Sequence, residues 1–252
     1  MNIKGFYIQL KNITHIRYHL KILFKITTRS RRSNFLRAYD SIINNISDKD
    51  NYHLLISLDE DDDCMFPLPE LKGNHTFVVG NSINKVHAIN RDVNTFDYNW
   101  DILVNVSDDQ VFIVKGFDTI IRANFCVGEP RQECNARLSQ VLHFPDQHQG
   151  ANCMTMSIIG YDYYIKDMHI YNPEFESLWV DIVAQEQAQI RGCYKYVDKQ
   201  IFVHLHPSFG DCAYDEQYRK TEDWGVRQRD YATYLRLKAN YDKLNQFPIR
   251  SI

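Results

Sequence analysis

Two adjacent carboxylates, Asp108 and Asp109, come directly after a short apolar run at residues 102–106 (ILVNV). An apolar run of this length that is bounded by polar residues predicts a buried strand. Carboxylates at a strand end are hard oxygen ligands for Mg²⁺ or Mn²⁺, and a metal held there would neutralise a diphosphate. Ser-Asp-Asp is also good turn chemistry, so a plain turn is the alternative. The position after a strand favours the metal site.

The segment HLHP offers two further ligands, His204 and His206. Strand alternation places both imidazoles on one face, and Mn²⁺ accepts nitrogen ligands beside oxygen ligands. We favour His206 as the ligand because Pro207 stiffens the chain beside it. The alternative is a pair of buried histidines that are held by hydrogen bonds.

A third candidate is Asp181, which the segment SLWVDIVAQEQ places in the first turn of a predicted helix, close to Trp179. A carboxylate beside an aromatic platform for a sugar ring suits a general base. An aspartate in a first turn also complements the helix dipole, and Trp179 suits a core equally well. Glu186, further along the same helix, is the reserve candidate.

Charged side chains follow two other predicted strands. Arg29, Arg31 and Arg32 come after the first strand, where guanidinium groups can hold phosphate through paired contacts. The acidic run 59–63 (DEDDD) follows the second strand, while no acidic residue precedes Asp40. Charge runs are usually solvated faces. The alternative is a phosphate-binding region beside a metal-binding or sugar-binding region.

The elements that must position these residues alternate between strand and helix patterns in the first half of the chain. Strands are predicted at 22–26, 52–58, 76–79 and 102–106, and helices after a capping Ser33, at 85–93 and at 117–125. This alternation predicts a mostly parallel sheet covered by helices. Ligands of such sheets bind beyond the carboxyl ends of the strands, where TTRSRR, DEDDD and SDD would meet.

The second half is less regular, and no linker rich in glycine or proline divides the chain. Strand patterns occur at 141–144 and 154–159, helix patterns at 160–166 and 177–190, one or two strands over 194–205, and one or two charged helices over 214–244. We therefore predict a single domain over residues 1–252.

The composition excludes several classes of protein. With 252 residues, 44% hydrophobic and 24% charged, the chain is neither collagen, nor a coiled-coil rod, nor wholly disordered. No apolar run reaches the roughly 18–20 residues of a membrane helix, and the N-terminus lacks the apolar core of a secretory signal. We therefore predict a cytoplasmic protein. A net charge of −3 argues against a dedicated nucleic-acid binder.

Taken together, these segments resemble the family 2 type of glycosyltransferase with the GT-A fold. The segment ITTRSRRSNFLRAYDSI is similar to the family's strand–Pro-Thr-x-Asn-Arg–helix opening, with Thr27 in place of proline. The segment ISLDEDD resembles the strand that ends in a nucleotide-binding acid, here Asp59. The segment NKVHAINRD is similar to the Gly-x-x-x-Ala-x-Asn helix, with Lys85 in place of glycine and with Ala88 and Asn90 matching.

The later segments extend the resemblance over roughly residues 21–206. The segment ILVNVSDDQ resembles the strand that ends in the metal-binding Asp-x-Asp, with the first aspartate replaced. The segment SLWVDIVAQE resembles the part that carries the catalytic base, and HLHP resembles the late histidine of several GT-A enzymes.

The resemblance implies an α/β, Rossmann-like, mostly parallel sheet flanked by helices, in a single domain with a helical C-terminal tail. It implies a nucleotide-binding half at about 21–125, an acceptor and catalytic half at about 140–210, and a helical segment at about 214–246. The implied donor-binding residues are Thr27, Arg29, Arg31, Asp59, Lys85, Asn90 and Asp108. The resemblance further implies Mn²⁺ or Mg²⁺ on Asp108, Asp109 and His206, with Asp181 as the base and Trp179 at the acceptor.

The expected activity is a metal-dependent, inverting, hexosyltransferase-like transfer from a nucleoside-diphosphate sugar, with a UDP-sugar favoured. The acceptor is a hydroxyl group on a glycan or, as a minor alternative, on a modified DNA base. Two other functions stay open. A nucleotidyltransferase of the same fold would want a glycine-rich loop with a lysine after the first strand, and TTRSRRS has no glycine. The second open function is that of a non-catalytic module that binds a sugar or a nucleotide.

Overall fold

A seven-stranded sheet with helices on both faces is the centre of the computed structural model, which describes residues 20–127 and 135–245. The strands, numbered β1 to β11 along the chain, are Ile22–Thr27, Tyr52–Asp59, His75–Gly80, Ile102–Ser107, Gln110–Phe112, Cys126–Val127, Asn135–Ala136, Val141–His143, Ile158–Gly160, Tyr194–Tyr196 and Phe202–His204. The helices, α1 to α7, are Arg32–Asn45, Lys85–Asn90, Phe117–Phe125, Tyr161–Tyr164, Val180–Ile190, Glu216–Thr221 and Trp224–Asn245.

The strand order of the sheet is β10-β8-β9-β4-β1-β2-β3, and only the two pairs that β9 makes are antiparallel. The prediction of a mostly parallel sheet is therefore confirmed. Thr27 of β1 is in register with Ser57 of β2 and with Ser107 of β4. The polar segments that follow these three residues consequently leave the sheet at one edge.

An antiparallel ribbon of β5 and β11 brings the HLHP segment to this edge. His204 pairs with Gln110, and the backbone N–H of Leu205 donates to the carbonyl of Asp109 at 2.9 Å. Strand β5 was not predicted, because three residues directly after a turn are too few to show a period. Apart from the family resemblance, the sequence pattern contains nothing that places the two histidines near the aspartates.

The apolar residues of β1 pack on both faces of the sheet, as expected for a central parallel strand. Ile22, Phe24 and Ile26 pack with α1 and α3, whereas Leu23 packs with α2 and α5. Within the described part of the chain, no helix combines the length and the apolar character that crossing a bilayer requires.

Two helix starts differ from the predictions for local reasons. Helix α1 begins at Arg32 with Arg31 at the N-cap position, so Ser33 is not the cap. Helix α5 begins at Val180 rather than at residue 177, because Trp179 has a left-handed φ of 66°. The backbone N–H groups of residues 176–178 instead donate to the carboxylate of Asp230, at 2.7 to 2.9 Å.

Other boundaries shift by a few residues. Helix α2 ends at Asn90 rather than at 93, since Arg91 is extended and Asp92 has a φ of 75°. The strand predicted at 154–159 is observed at Ile158–Gly160, and the helix predicted at 160–166 at Tyr161–Tyr164. The two-part patterns at 194–205 and 214–244 are observed as separate elements, β10 with β11 and α6 with α7.

A buried lysine, Lys25, lies in the middle of β1 with no exposed surface. Its ammonium group contacts the hydroxyl of Ser57, which donates to Asp92, and lies 3.9 Å from the carboxylate of Asp92. Burial lowers the pKa of Lys25 to about 7, against the partial compensation of Asp92. Because the unfolded chain holds this proton up to about pH 10, folding is disfavoured by the lysine at neutral pH.

We expect the lowered pKa of Lys25 to be visible in how the free energy of unfolding depends on pH. Between the lowered folded pKa and the unfolded pKa the unfolded state binds more protons, so stability rises with pH. Relative to a Lys25→Met variant, the parent should gain about 2–3 kcal/mol of unfolding free energy between about pH 8 and pH 10. Urea unfolding across that range measures the difference. Exposed Lys72→Met is the control, and parallel curves for the parent and Lys25→Met would contradict the expectation.

Candidate functional site

A cavity of about 440 Å³ opens at the carboxyl edge of β1, β2 and β4. This volume lies in the range of small-molecule binding sites. Its wall is formed by residues within 27–31, 57–61, 81–88, 107–109, 176–177 and 217–226. The polar segments at the ends of β1, β2 and β4 therefore converge, and the C-terminal helices α6 and α7 form a further wall of the cavity.

Four buried polar atoms on this wall have no hydrogen-bond partner within the described residues. They are Asp59 Oδ1, Ser82 Oγ, Asp109 Oδ1 and Ser177 Oγ. In the rest of the described chain only two such atoms occur, on Arg91 and His143. Because buried polar atoms in proteins are nearly always paired, their concentration here indicates a surface that a polar ligand completes.

Asp108 and Asp109 lie at the floor of the cavity, and both are buried. Asp108 accepts a hydrogen bond from the Thr28 hydroxyl at 2.7 Å and lies 3.4 Å from a guanidinium nitrogen of Arg31. Burial and the neighbouring Asp109 raise the pKa of Asp108 to about 6, although Arg31 opposes the rise. A further cation beside the pair would lower the pKa of Asp108 and favour its ionised form.

Asp109 is held in its ionised form by its neighbours. Its Oδ2 accepts a hydrogen bond from the Tyr218 hydroxyl at 2.6 Å, and its Oδ1 lies 3.3 Å from His204 Nε2. Burial favours the neutral acid, but the His204 imidazole and the Tyr218 hydroxyl outweigh it and hold the pKa of Asp109 well below its usual range.

The residues present fit a divalent cation that takes part of its ligands from a substrate. Two adjacent carboxylates offer hard oxygen atoms, and Asp109 Oδ1 is a buried acceptor without a hydrogen bond. The described residues bring no group of three His, Cys, Asp or Glu side chains together around a metal position. Mg²⁺ commonly binds in this way, through one or two carboxylates with phosphate oxygens and water.

The two histidines of HLHP lie with their ring centres 5.4 Å apart but have different partners. His204 lies between two carboxylates, 3.3 Å from Asp109 and 3.6 Å from Asp146. Burial alone would lower the pKa of His204, but these two carboxylates raise it to about 9. His206, the ligand that the sequence favoured, lies 3.2 Å from Glu222 instead. The imidazole closest to the aspartate pair is thus that of His204.

Asp146 was not singled out by the sequence analysis as a site residue. Its side chain is almost fully buried. It accepts hydrogen bonds from the backbone N–H groups of His148 and Gln149 at 2.9 and 2.5 Å and from the Thr155 hydroxyl at 2.9 Å. These donors fix a carboxylate against His204 Nδ1. An Asp-x-x-Gln turn carries no signal in the sequence that would point to this role.

Helix α6 contacts the predicted donor residues directly, which the sequence did not indicate. Asp215, its N-cap, accepts two hydrogen bonds from Arg31 at 2.7 Å each. The Arg31 guanidinium also lies 3.9 Å from the ring centre of Tyr218, the residue that donates to Asp109. Arg31 is therefore placed in the site, but two carboxylates and a ring already surround it.

Arg29 and Asp59 are paired with each other at the mouth of the cavity. Arg29 donates to Asp59 Oδ2 at 2.6 Å and to both oxygens of Asp61 at 2.7 Å. These contacts raise the pKa of Arg29 above its ordinary value. Asp59 Oδ1 makes no hydrogen bond and lies 3.9 Å from a guanidinium nitrogen of Arg91, so this atom rather than Arg29 is left to accept a hydrogen bond from a ligand.

The remaining predicted donor residues divide into two groups. Thr27 and Lys85 line the cavity, with the Thr27 hydroxyl 3.4 Å from the carbonyl of Ala88. Asn90 is not among the lining residues. Its side-chain amide binds the backbone of Ile170 and Tyr171 instead.

Asp181, the predicted base, is half-buried and is not among the residues that line the cavity. Its Oδ1 accepts a hydrogen bond from the Tyr171 hydroxyl at 2.5 Å. Burial raises the pKa of Asp181, which Tyr171, Lys85 and His204 partly counteract and Asp109 reinforces. Lys85 and Asp109, which act on this carboxylate through their charges, both line the cavity.

Trp179, the predicted acceptor platform, packs against helix α7. Its ring is stacked on Tyr234 with centres 5.4 Å apart and lies 4.9 Å from the ring of Tyr231. Trp179 is not among the residues that line the cavity. The structure therefore does not bring it together with Asp108 and Asp109.

No protein-family model and no curated protein matches the sequence. Among solved structures, the chain is similar to the mannosyltransferase PcManGT of Pyrobaculum calidifontis in complex with GDP-Man and Mn²⁺. That similarity has a TM-score of 0.55 and 14% identity over 88% of this chain. It is also similar to Staphylococcus aureus TarS in complex with UDP-GlcNAc, with a TM-score of 0.53 and 10% identity over 73% of this chain.

A third similar structure is glucosyl-3-phosphoglycerate synthase from Mycobacterium tuberculosis in complex with Mg²⁺ and UDP, with a TM-score of 0.50 and 13% identity over 74% of this chain. The chain spans 66% of the mannosyltransferase, 57% of the TarS structure and 72% of the synthase. At these identities the comparisons show a shared fold.

Proposed function

Because the chain has a GT-A-type fold, we propose that it is a metal-dependent glycosyltransferase that uses a nucleoside-diphosphate sugar. The observation that carries the proposal is one cavity at the carboxyl ends of parallel strands, on whose wall four buried polar atoms make no hydrogen bond within the described residues. Two of these atoms, Asp59 Oδ1 and Asp109 Oδ1, each face a basic side chain, at 3.9 and 3.3 Å. The neighbouring structures contain GDP-Man, UDP-GlcNAc and UDP, and two contain Mn²⁺ or Mg²⁺. These ligands support the class of donor and the need for a metal.

In this proposal the cavity holds the donor and the aspartate pair holds its metal. Asp59 Oδ1 can accept a hydrogen bond from the nucleoside, and Ser82 Oγ can accept or donate one. Asp108 and Asp109 would hold Mn²⁺ or Mg²⁺. His204, the nearest imidazole, would have to lose its proton to act as a ligand. His206 would first have to leave Glu222. A bound metal supplies positive charge that stabilises the departing diphosphate. Lys85 on the cavity wall adds a second cation.

The proposed reaction inverts the anomeric centre. The free oxygen of Asp181 takes the proton of an acceptor hydroxyl, and the acceptor oxygen attacks the anomeric carbon from the face opposite the diphosphate. The bond between that carbon and the phosphate oxygen breaks, and the nucleoside diphosphate leaves with the bonding electrons. We favour a hexose on UDP as the donor and a glycan hydroxyl as the acceptor. The cytoplasmic location stays a prediction of the sequence.

We expect nucleoside diphosphate sugars to stabilise the protein only when Mn²⁺ is present. A ligand at 100 times its dissociation constant stabilises the folded state by about 2.7 kcal/mol, which a thermal-unfolding panel of UDP- and GDP-sugars with and without Mn²⁺ detects. Absence of any nucleotide effect would favour the non-catalytic module. Formation of diphosphate from a nucleoside triphosphate and a sugar phosphate would instead favour the nucleotidyltransferase. The anomeric configuration of the product, measured by NMR, tests inversion.

A further inference from the structure

Asn90, at the end of α2, binds the loop before α5 through three hydrogen bonds. Its Oδ1 accepts the backbone N–H groups of Ile170 and Tyr171 at 2.9 and 3.0 Å, and its Nδ2 donates to the carbonyl of Tyr171 at 2.7 Å. Both lone-pair directions of the amide oxygen are thus used. Asn90 therefore fixes the backbone of Tyr171 rather than contacting a ligand in the cavity.

The hydrogen bonds around the hydroxyl of Tyr171 determine which group receives its proton. Tyr171 is buried, with 3% of its surface exposed. Its oxygen lies 3.3 Å from the hydroxyl of Ser157 and 3.5 Å from Asn105 Nδ2, which can only donate. With these two groups donating to it, the single hydroxyl proton of Tyr171 goes to Asp181 Oδ1 at 2.5 Å.

The two oxygens of Asp181 therefore differ. Oδ1 is held by Tyr171, whereas Oδ2 receives no hydrogen bond from the residues that the structure describes. Asp181 as a whole is half-buried rather than fully enclosed. A carboxylate with one oxygen fixed and the other open is oriented for a reactant on the open side.

We propose that Asn90 and Tyr171 are positioning residues that orient the carboxylate of Asp181, with Asn90 acting through the backbone of Tyr171. This inference rests on the proposed function for the role of Asp181 as the base. It also revises the role that the sequence implied for Asn90, from a donor contact to a support of the base.

The charged and titratable groups around Asp181 come from several elements. Tyr171 faces it from the preceding loop, and the others that act on it or are acted on by it are Lys85 of α2, Asp109 after β4, Cys153 before β9 and His204 of β11. Among these, Tyr171 is the one whose hydrogen bond to Asp181 is present in the structure. Removing that donor leaves the other groups in place.

The test is Tyr171→Phe, which removes only the hydroxyl. A hydrogen bond to a charged group stabilises the ionised form by about 1.5–3 kcal/mol. Its loss should therefore raise the pKa of Asp181 by about one to two pH units. The acid limb of kcat/KM should move up by the same amount, and kcat at neutral pH should fall roughly tenfold or more. Metal-dependent donor binding should not change. Titration of the Asp181 carboxyl carbon by NMR measures the pKa without any need for activity.

Two matched controls separate positioning from simple loss of packing. Tyr164 is also 3% exposed and donates to Asn94 at 2.8 Å, so Tyr164→Phe removes a comparable buried hydroxyl away from Asp181. Asn94 donates to the carbonyl of Met168 on the same loop, so Asn94→Ala matches Asn90→Ala. We expect Asn90→Ala to lower kcat and raise the pKa of Asp181, and we expect neither control to do so.

The outcomes distinguish this inference from the proposed function. An unchanged Asp181 pKa in Tyr171→Phe would overturn the inference, whether or not the parent transfers sugar. Loss of donor affinity in Asn90→Ala with a normal Asp181 pKa would restore the donor role of Asn90 and also overturn it. A parent protein that binds no donor would overturn the proposed function alone, since the carboxyl titration would still report the effect of Tyr171 on Asp181.

Discussion

Replacing Asp109 by asparagine is expected to abolish metal-dependent donor binding. Asp109 Oδ1 is a buried acceptor without a hydrogen bond, and its carboxylate is kept ionised by the Tyr218 hydroxyl and the His204 imidazole. Asparagine offers one neutral oxygen in place of two charged ones. Since loss of partners that only support a ligand already costs 10–100-fold in metal affinity, we expect at least about 100-fold here.

The fold should tolerate this change, so the loss can be assigned to the site. The carbonyl oxygen of asparagine can still accept the hydrogen bond that Tyr218 makes with Asp109 at 2.6 Å. The measurement is Mn²⁺ affinity by calorimetry in the presence of a nucleoside diphosphate. Exposed Asp162→Asn on α4 removes the same charge elsewhere and should bind like the parent. Parental affinity in Asp109→Asn would remove the aspartate pair from the metal site.

The part of the site that the sequence could predict is the part built by neighbouring parallel strands. Asp59 ends β2 and Asp108 follows β4, and both strands pair with β1 in register, so their convergence with Thr27 follows from the strand pattern alone. Parallel strands share one carboxyl edge, and each strand was visible as an apolar run between polar segments. Each of the three strands can thus be recognised from its own short stretch of sequence.

The wall contributed by α6 could not be predicted in this way. Arg31 and Asp215 are 184 residues apart, and Tyr218 is 109 residues from Asp109. Periodicity showed that a helical segment exists near residue 214, but it carries no information on where such a helix docks. The docking depends on ion pairs and one ring contact with residues that are not sequence neighbours.

Two side chains that were expected in the site from their residue type, Asn90 and Trp179, do not line the cavity. Asn90 matches the motif position, yet its amide binds backbone at 2.7 to 3.0 Å rather than lining the cavity. Trp179 precedes the predicted base, yet its left-handed φ of 66° accompanies a stack on Tyr234. A polar or aromatic side chain near a site can serve the scaffold, and sequence spacing does not separate the two uses.

Replacing Asp181 by asparagine is expected to keep donor binding and to lose transfer. The amide oxygen can still accept the Tyr171 hydroxyl, so the local structure should persist. The amide cannot take a proton from an acceptor hydroxyl, and loss of general-base catalysis lowers turnover by about 10²–10⁴-fold. Rates of nucleoside diphosphate release with acceptor present, compared with metal-dependent donor binding, separate the two steps.

The pH dependence gives an independent signature of the same residue. Burial raises the pKa of Asp181 above its ordinary value, and the base must be ionised to act. Activity of the parent should therefore decline as the pH falls through this raised pKa, since the acid form has no free lone pair for the acceptor proton. In Asp181→Asn the residual activity should lack this limb.

Glu186 provides the matched control for this experiment, because it lies on the same helix but contacts α7. It accepts hydrogen bonds from Tyr234 at 3.1 Å and from Lys238 at 3.2 Å, and neither residue lines the cavity. Glu186→Gln should therefore transfer sugar at nearly the parental rate. A dead Glu186→Gln beside an active Asp181→Asn would move the base to Glu186, and it would require α7 to leave its place against α5 before an acceptor could reach that carboxylate.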